Sequence, residues 1–162
     1  MRRVAAIAAG VGLILTGCAA QGSAMKPDAA EQDARDVLAR TSAVVPAGGW
    51  TTEVTWGPCE KPREGHVQLT FVAQSLTERP EPTPALAQAV VDAWQLVGRK
   101  PTVTSEVLAG GDAGLVVSDP TYLTGANPDG SLTQLSLSTK AIFLQVMSPC
   151  IEGDLDQLLA GS

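Results

Sequence analysis

Only a few side chains in this sequence of 162 residues could carry a reaction, and their types and spacing restrict the chemistry. A Ser-His-acid hydrolase needs a base able to hold a proton at neutral pH, and His66 is the single imidazole. His66 follows Glu64-Gly65 at the start of an alternating stretch, which is the place of an exposed strand residue. The chain has no Gly-x-Ser-x-Gly elbow, and Ser136 and Ser138 lie in plain strand alternation. Asp112, Asp119 and Asp129 could supply the two carboxylates of a glycosidase. Each sits in a turn, however, where capping of the local backbone already accounts for an Asp. The stretch DPTYLTGANPDG lacks the acidic spacing and closing Glu of an EF-hand loop. The expectation is a protein with no catalytic centre, no metal and no cofactor.

The cysteines say more. Arg2 and Arg3 precede an apolar run from Val4 to Leu15, broken only by Gly10 and Gly12, and Thr16-Gly17-Cys18 follows. A basic start, an apolar centre and small residues make up a secretory signal peptide. About a dozen apolar residues fall short of the roughly 20 that a spanning helix needs. Leu15-Thr16-Gly17-Cys18 resembles the lipobox of bacterial lipoproteins. That resemblance implies that the Cys18 thiol receives a diacylglyceryl group and that the signal peptide, residues 1–17, is cut just before it. Ordinary cleavage in the Ala-rich segment at Cys18-Ala19-Ala20 is the alternative. Two acyl chains make such an anchor durable, because each buried methylene contributes about 0.8 kcal/mol and one chain alone binds marginally. Residues 18–27 would then be the lipidated N-terminus and a small, polar tether that spans about 15 Å as a random coil. A single α/β domain is expected over 28–162.

With Cys18 consumed, Cys59 and Cys150 remain. An even pair in an exported chain reads most simply as a disulfide. Both end apolar stretches beside proline, in WGPC and MSPC, as two neighbouring strand ends would. The alternative, a metal or redox pair, lacks a Cys-x-x-Cys and any histidine beyond His66. The chain carries 17 acidic and 11 basic residues, a net charge of −6, and two of the basic residues, Arg2 and Arg3, fall in the leader. Such an acidic exported surface argues against nucleic acid or anionic headgroups as partners. Membrane attachment is therefore expected to rest on the lipid at Cys18.

The elements that would position these residues follow from periodicity. Asp28 and Glu31 read as an N-cap with its box partner, and Ala30, Ala34, Val37, Leu38 and Thr41 at helical spacing predict a helix over 29–40. In WTTEVTWGPC, Trp50, Val54 and Trp56 share one face. In HVQLTFVAQS, Val67, Leu69, Phe71 and Ala73 do the same, so the two stretches predict an antiparallel pair. Thr83 as N-cap, Pro84 at the first position, the stripe Leu86, Val90, Val91, Trp94 and Val97, and the stop Gly98-Arg99-Lys100-Pro101 predict a second helix over 84–97. TVTSEVL, LVVSDPTYL, LTQLSLS and AIFLQVM continue as a meander with turns between them, and 154–159 as a short last helix. The expected fold is α+β, a two-layer sandwich. Its mainly antiparallel sheet of five to six strands is covered on one face by two helices, and the other face, rich in Thr, Ser and Gln, is left to water.

The leader, the acidic Ala- and Val-rich chain, Trp56 shortly before Pro58-Cys59 and the closing LQVMSPC resemble small cell-envelope lipoproteins of high-GC Gram-positive bacteria, of the LppA-like kind. The resemblance implies an actinobacterial lipoprotein at the extracytoplasmic face of the cell membrane, and it carries over no active residues. Of the aromatic residues Trp50, Trp56, Trp94 and Tyr122, Trp56 and Trp94 lie on apolar faces and read as core, whereas Trp50 could serve core or binding. The expected function is a non-catalytic, lipid-anchored envelope protein that binds a protein or cell-wall partner. A carrier of an apolar ligand between sheet and helices is the second reading, and an envelope hydrolase the third. Cys18→Ala is expected to abolish metabolic labelling by a fatty acid and to leave the chain as uncleaved precursor or free of its lipid. Equal labelling of wild type and variant would contradict the lipobox.

Overall fold

The computed structural model describes residues 25–59, 65–75, 80–108 and 111–160. The leader, Cys18 and most of the tether lie outside them. The first helix, α1, runs Pro27–Val44. Proline at its first position is preset for helical φ and has no N–H to leave unpaired. Asp28 is therefore not the N-cap: Lys26 holds that place without a side-chain cap, and Asp28 stands in the first turn, where its charge meets the positive end of the helix dipole. Glu31 does not close a box but accepts a hydrogen bond from the Trp56 indole at 3.4 Å. The helix outlasts its expected end because nothing breaks it before Pro46, which disfavours a helical Val45.

The second helix, α2, spans Pro84–Gln95, and the Thr83 hydroxyl accepts from the Leu86 N–H at 3.1 Å. Its end is a Schellman turn. Gly98 takes φ +79, its N–H donates to the Gln95 carbonyl, and the Arg99 N–H donates to that of Trp94. The strands are β1 (Thr51–Pro58), β2 (His66–Ser75), β3 (Thr102–Val107), β4 (Ala113–Asp119), β5 (Leu132–Leu137), β6 (Ile142–Met147) and a two-residue β7 (Ile151–Glu152). A short α3 (Leu155–Ala160) ends the described chain, and the Asp154 carboxylate accepts from the Asp156 and Gln157 N–H groups at its start.

The sheet order is β1-β2-β6-β5-β4-β3, antiparallel at every pairing, with β7 extending the start of β2 through His66↔Glu152 and Val67↔Ile151. The fold class is thus the expected α+β sandwich, with one short strand more than foreseen. The two helices lie on one face, α1 over β2 and β6 and α2 over β4 and β3. They run antiparallel, as the Trp94 indole donates to the Thr41 hydroxyl at 2.9 Å while Arg99 further along reaches back to Asp33. Beneath them a row of cross-strand neighbours crosses the sheet: Ala73, Leu144, Leu135, Val117 and Val103. The first four are fully buried, and Val103 on the edge is 42% exposed. The opposite face carries Thr70, Gln74, Gln134, Ser136 and Gln145, but also half-buried Phe143 and Met147 and, fully buried in β4, Val116 and Ser118, so it is not simply left to water.

Cys59 and Cys150 are bridged, with Cα atoms 5.8 Å apart, and join the end of β1 to the link between β6 and β7. Equilibrium unfolding of Cys150→Ser is expected to show a loss of about 2–5 kcal/mol, since the bridge closes a long loop. Gly114 supports the far end of the sheet. A Cβ there would lie 2.7 Å from the Leu137 carbonyl oxygen and 2.4 Å from a Leu108 methyl. Gly114→Ala is accordingly expected to cost about 1–3 kcal/mol by overpacking, measured the same way. An unchanged midpoint for either variant would contradict its assigned role.

Candidate functional site

The residues with reactive side chains do not meet. Asp112 stands in the β3–β4 turn and pairs with Lys140 at 2.8 Å. Asp119, at the other end of β4, accepts from the Lys100 N–H at 2.7 Å. Asp129 accepts from the N–H and hydroxyl of Ser131. Asp112 is thus separated from the other two by the length of a strand, and each acid has a local partner. His66 opens β2 at the end where β5 begins, whereas Ser138 follows the far end of β5. There the Ser138 hydroxyl accepts from the Lys140 and Ala141 N–H groups and donates to the Ala141 carbonyl. Among the described residues no three His, Cys, Asp or Glu side chains are grouped to hold a metal. Trp56 and Trp94 are buried in the core, and Trp50 packs against it half-buried.

A small polar recess of about 260 Å³ lies at the end of α2, beside Arg99, Lys100, Asp119, Asn127 and Thr133. Its polar groups are engaged with one another. The Arg99 guanidinium donates to the Thr133 hydroxyl at 3.0 Å and pairs with Asp33, and the Asn127 amide donates to the Ser131 hydroxyl. This network braces α1, α2 and the start of β5.

The site with free apolar surface is at the opposite end of the sheet. An open cleft of about 650 Å³ runs along the last half of β3, with Val107, Ala113 and Leu115 on the face the helices roof elsewhere. Pro82 and Glu81, from the segment leading into α2, form one wall, and Thr139 of the β5–β6 turn closes the end. Val107 is 74% exposed. Glu81 places an exposed carboxylate on the rim, whereas Glu106, next to Val107 in β3, alternates to the other face of the sheet. Among the described residues β3 pairs only with β4, so its outer edge presents backbone donors and acceptors beside the cleft. The other edge strand, β1, is packed by α3. Apolar floor, acidic rim and open strand edge together suit an extended segment that pairs with β3 and lowers alternate side chains into the cleft.

None of the residues singled out in the sequence line this cleft. A signal was present in TVTSEVL, whose inward face reads Val103, Ser105, Val107. A polar residue at the centre of that face marks an edge strand that the helices do not fully roof.

No family model and no curated protein matches the chain. Among solved structures it is similar to the crystal structure of a DUF4853 family protein from Actinomyces odontolyticus. The two share 13% identity over 76% of this chain and 68% of that one, with a TM-score of 0.40. A likeness this slight carries over no fold, family or function.

Proposed function

We propose that the protein is a non-catalytic, lipid-anchored module of the cell envelope that binds a protein partner through the β3 edge and its cleft. The observation that carries this reading is the placement of the cleft. It lies at the end of the sheet away from α1's first turn, where the chain arrives from the tether, so an anchor at Cys18 would present it outward. The strands between the two ends are 6 to 10 residues long in β2, β3, β5 and β6, which corresponds to about 20–33 Å.

The rim selects the partner's chemistry. An extended segment with alternating apolar side chains and a flanking Lys or Arg would satisfy both the floor and the carboxylate of Glu81. The packed interior favours this surface reading over an apolar-ligand carrier, because Trp94, Phe71, Leu69, Leu135 and Leu144 fill the space between helices and sheet at under 2% exposure.

A photo-crosslinking side chain at Val107, introduced in living cells, is expected to capture a discrete partner, and one at Thr52 on the opposite edge is not. Adding Glu81→Lys to the Val107 probe should reduce the yield several-fold. Equal yields from both edges, or no effect of the charge reversal, would contradict the reading.

A further inference from the structure

The end of the sheet nearest the tether carries a feature that neither the core nor the cleft uses. Between β4 and β5 the chain forms a loop over 120–131, and at its tip Leu123 is 79% exposed with φ +65. That is the left-handed region, where a leucine sits against its steric preference and which is held only when the surroundings over-determine it. The surroundings here do so. The Thr124 N–H donates to the Thr121 carbonyl, the Asn127 N–H to that of Ser131, and the Gly130 N–H to that of Asn127. The Cys150 N–H and the Gln68 amide clamp the Asp129 and Gly130 carbonyls at 2.8 Å each, tying the loop to the disulfide and to β2. Leu123 is thus an apolar side chain on a fixed base, pointed away from its own fold.

We infer that Leu123 is a membrane-contacting residue: the 120–131 loop rests on the lipid surface that holds Cys18, with the leucine side chain in the interfacial layer. The inference rests on the lipid anchor at Cys18. Its geometric support is the short chain between that anchor and the fold. Seven residues lead from Cys18 to Met25, and fully extended they reach at most about 25 Å. Pro27 lies against Gly153, whose N–H donates to the Gly65 carbonyl at the start of β2. The chain therefore joins the domain at the same end of the sheet as Leu123. A tether of that length holds this end near the bilayer and leaves the cleft, a strand's length further, on the outside.

Charge does not account for the contact. Among the described residues, exposed Lys26 and Lys100 at this end are matched by exposed Asp129, Glu152 and Asp154. The contact is therefore apolar and is expected to be indifferent to anionic lipid.

The test uses the full-length, exported and lipidated protein with Leu123→Cys carrying a nitroxide. It is reconstituted in vesicles of phosphatidylcholine alone and of phosphatidylcholine with phosphatidylglycerol. A second protein carries the label at Thr139→Cys, exposed at the cleft end. Collisional relaxation by oxygen and by a water-soluble nickel complex reports depth, and mass analysis of the N-terminal fragment reports the acyl groups on Cys18. The expected result is an oxygen-to-nickel ratio several-fold higher at 123 than at 139, the same in both lipid mixtures. A water-like ratio at 123 in protein bearing the acyl mass overturns the membrane contact and leaves the anchor standing. Absence of the acyl mass overturns the anchor and, with it, this inference. A high ratio at 123 only with phosphatidylglycerol would overturn the apolar account of the contact.

Discussion

Six strands about 4.8 Å apart make a sheet about 24 Å across, whereas two helices packed 8–10 Å apart roof about 20 Å. The position of that roof is set by the contact between α1 and α2. The Trp94 indole donates to Thr41 in a fully buried bond, and Arg99 draws Asp33 and Thr133 together at the end of the pair. So placed, the helices bury the inward side chains of β2, β6 and β5 and, in β4, Val117. On one flank the shortfall is made good by Trp56, whose indole reaches Glu31 on α1, and by α3 against β1. On the other flank it is not. Val103 and Val107 stay 42% and 74% exposed, and the cleft beside β3 follows from that uncovered strip.

Strict antiparallel pairing sorts the connections to two ends. One end gathers the start of α1, the disulfide, the clamped 120–131 loop and the turn after α2. The other gathers the cleft and the tighter β3–β4 and β5–β6 turns. The bridge between Cys59 and Cys150 therefore stiffens the end through which the chain arrives, well away from the cleft. Asp129 and Gly130, held by the Cys150 N–H and the Gln68 amide, make the loop part of that rigid end. On the proposed function, anchoring and recognition are thus separated along the strand axis.

Much of this was legible locally. Thr83-Pro84 and Gly98-Arg99 mark the ends of α2 because caps are made by neighbours in sequence, and period-two alternation assigns inward faces without knowledge of partners. The bridge was legible from cysteine parity. Strand order was not, because Phe71 would be satisfied by any inward apolar neighbour and only the assembled sheet pairs it with Val146. β7 was missed because two residues carry no period. Asp28 suggested a cap, but Pro27 fits the first helical position better than an Asp-capped start one residue later. The cleft was illegible for a further reason. It is a shortfall of cover, which depends on where α1 and α2 lie across the sheet, and no single residue of Val107, Ala113 or Leu115 announces it. LVVSDPTYL reads as extended to Leu123, but β4 ends at Asp119, before Pro120, and Leu123 lies beyond it in the loop with φ +65.

The central claim is that the β3 edge is the surface this domain offers to its partner. Hydrogen exchange measures it directly, because an added strand must protect the amides that face it. Amide exchange over Thr102–Val107 is compared between purified lipidated protein and the same protein in its native membranes. Slowing in the membranes is expected over Thr102–Val107, with Thr51–Pro58 on the opposite edge unchanged. Unaltered exchange in Thr102–Val107, or protection that appears instead along Thr51–Pro58, would contradict it.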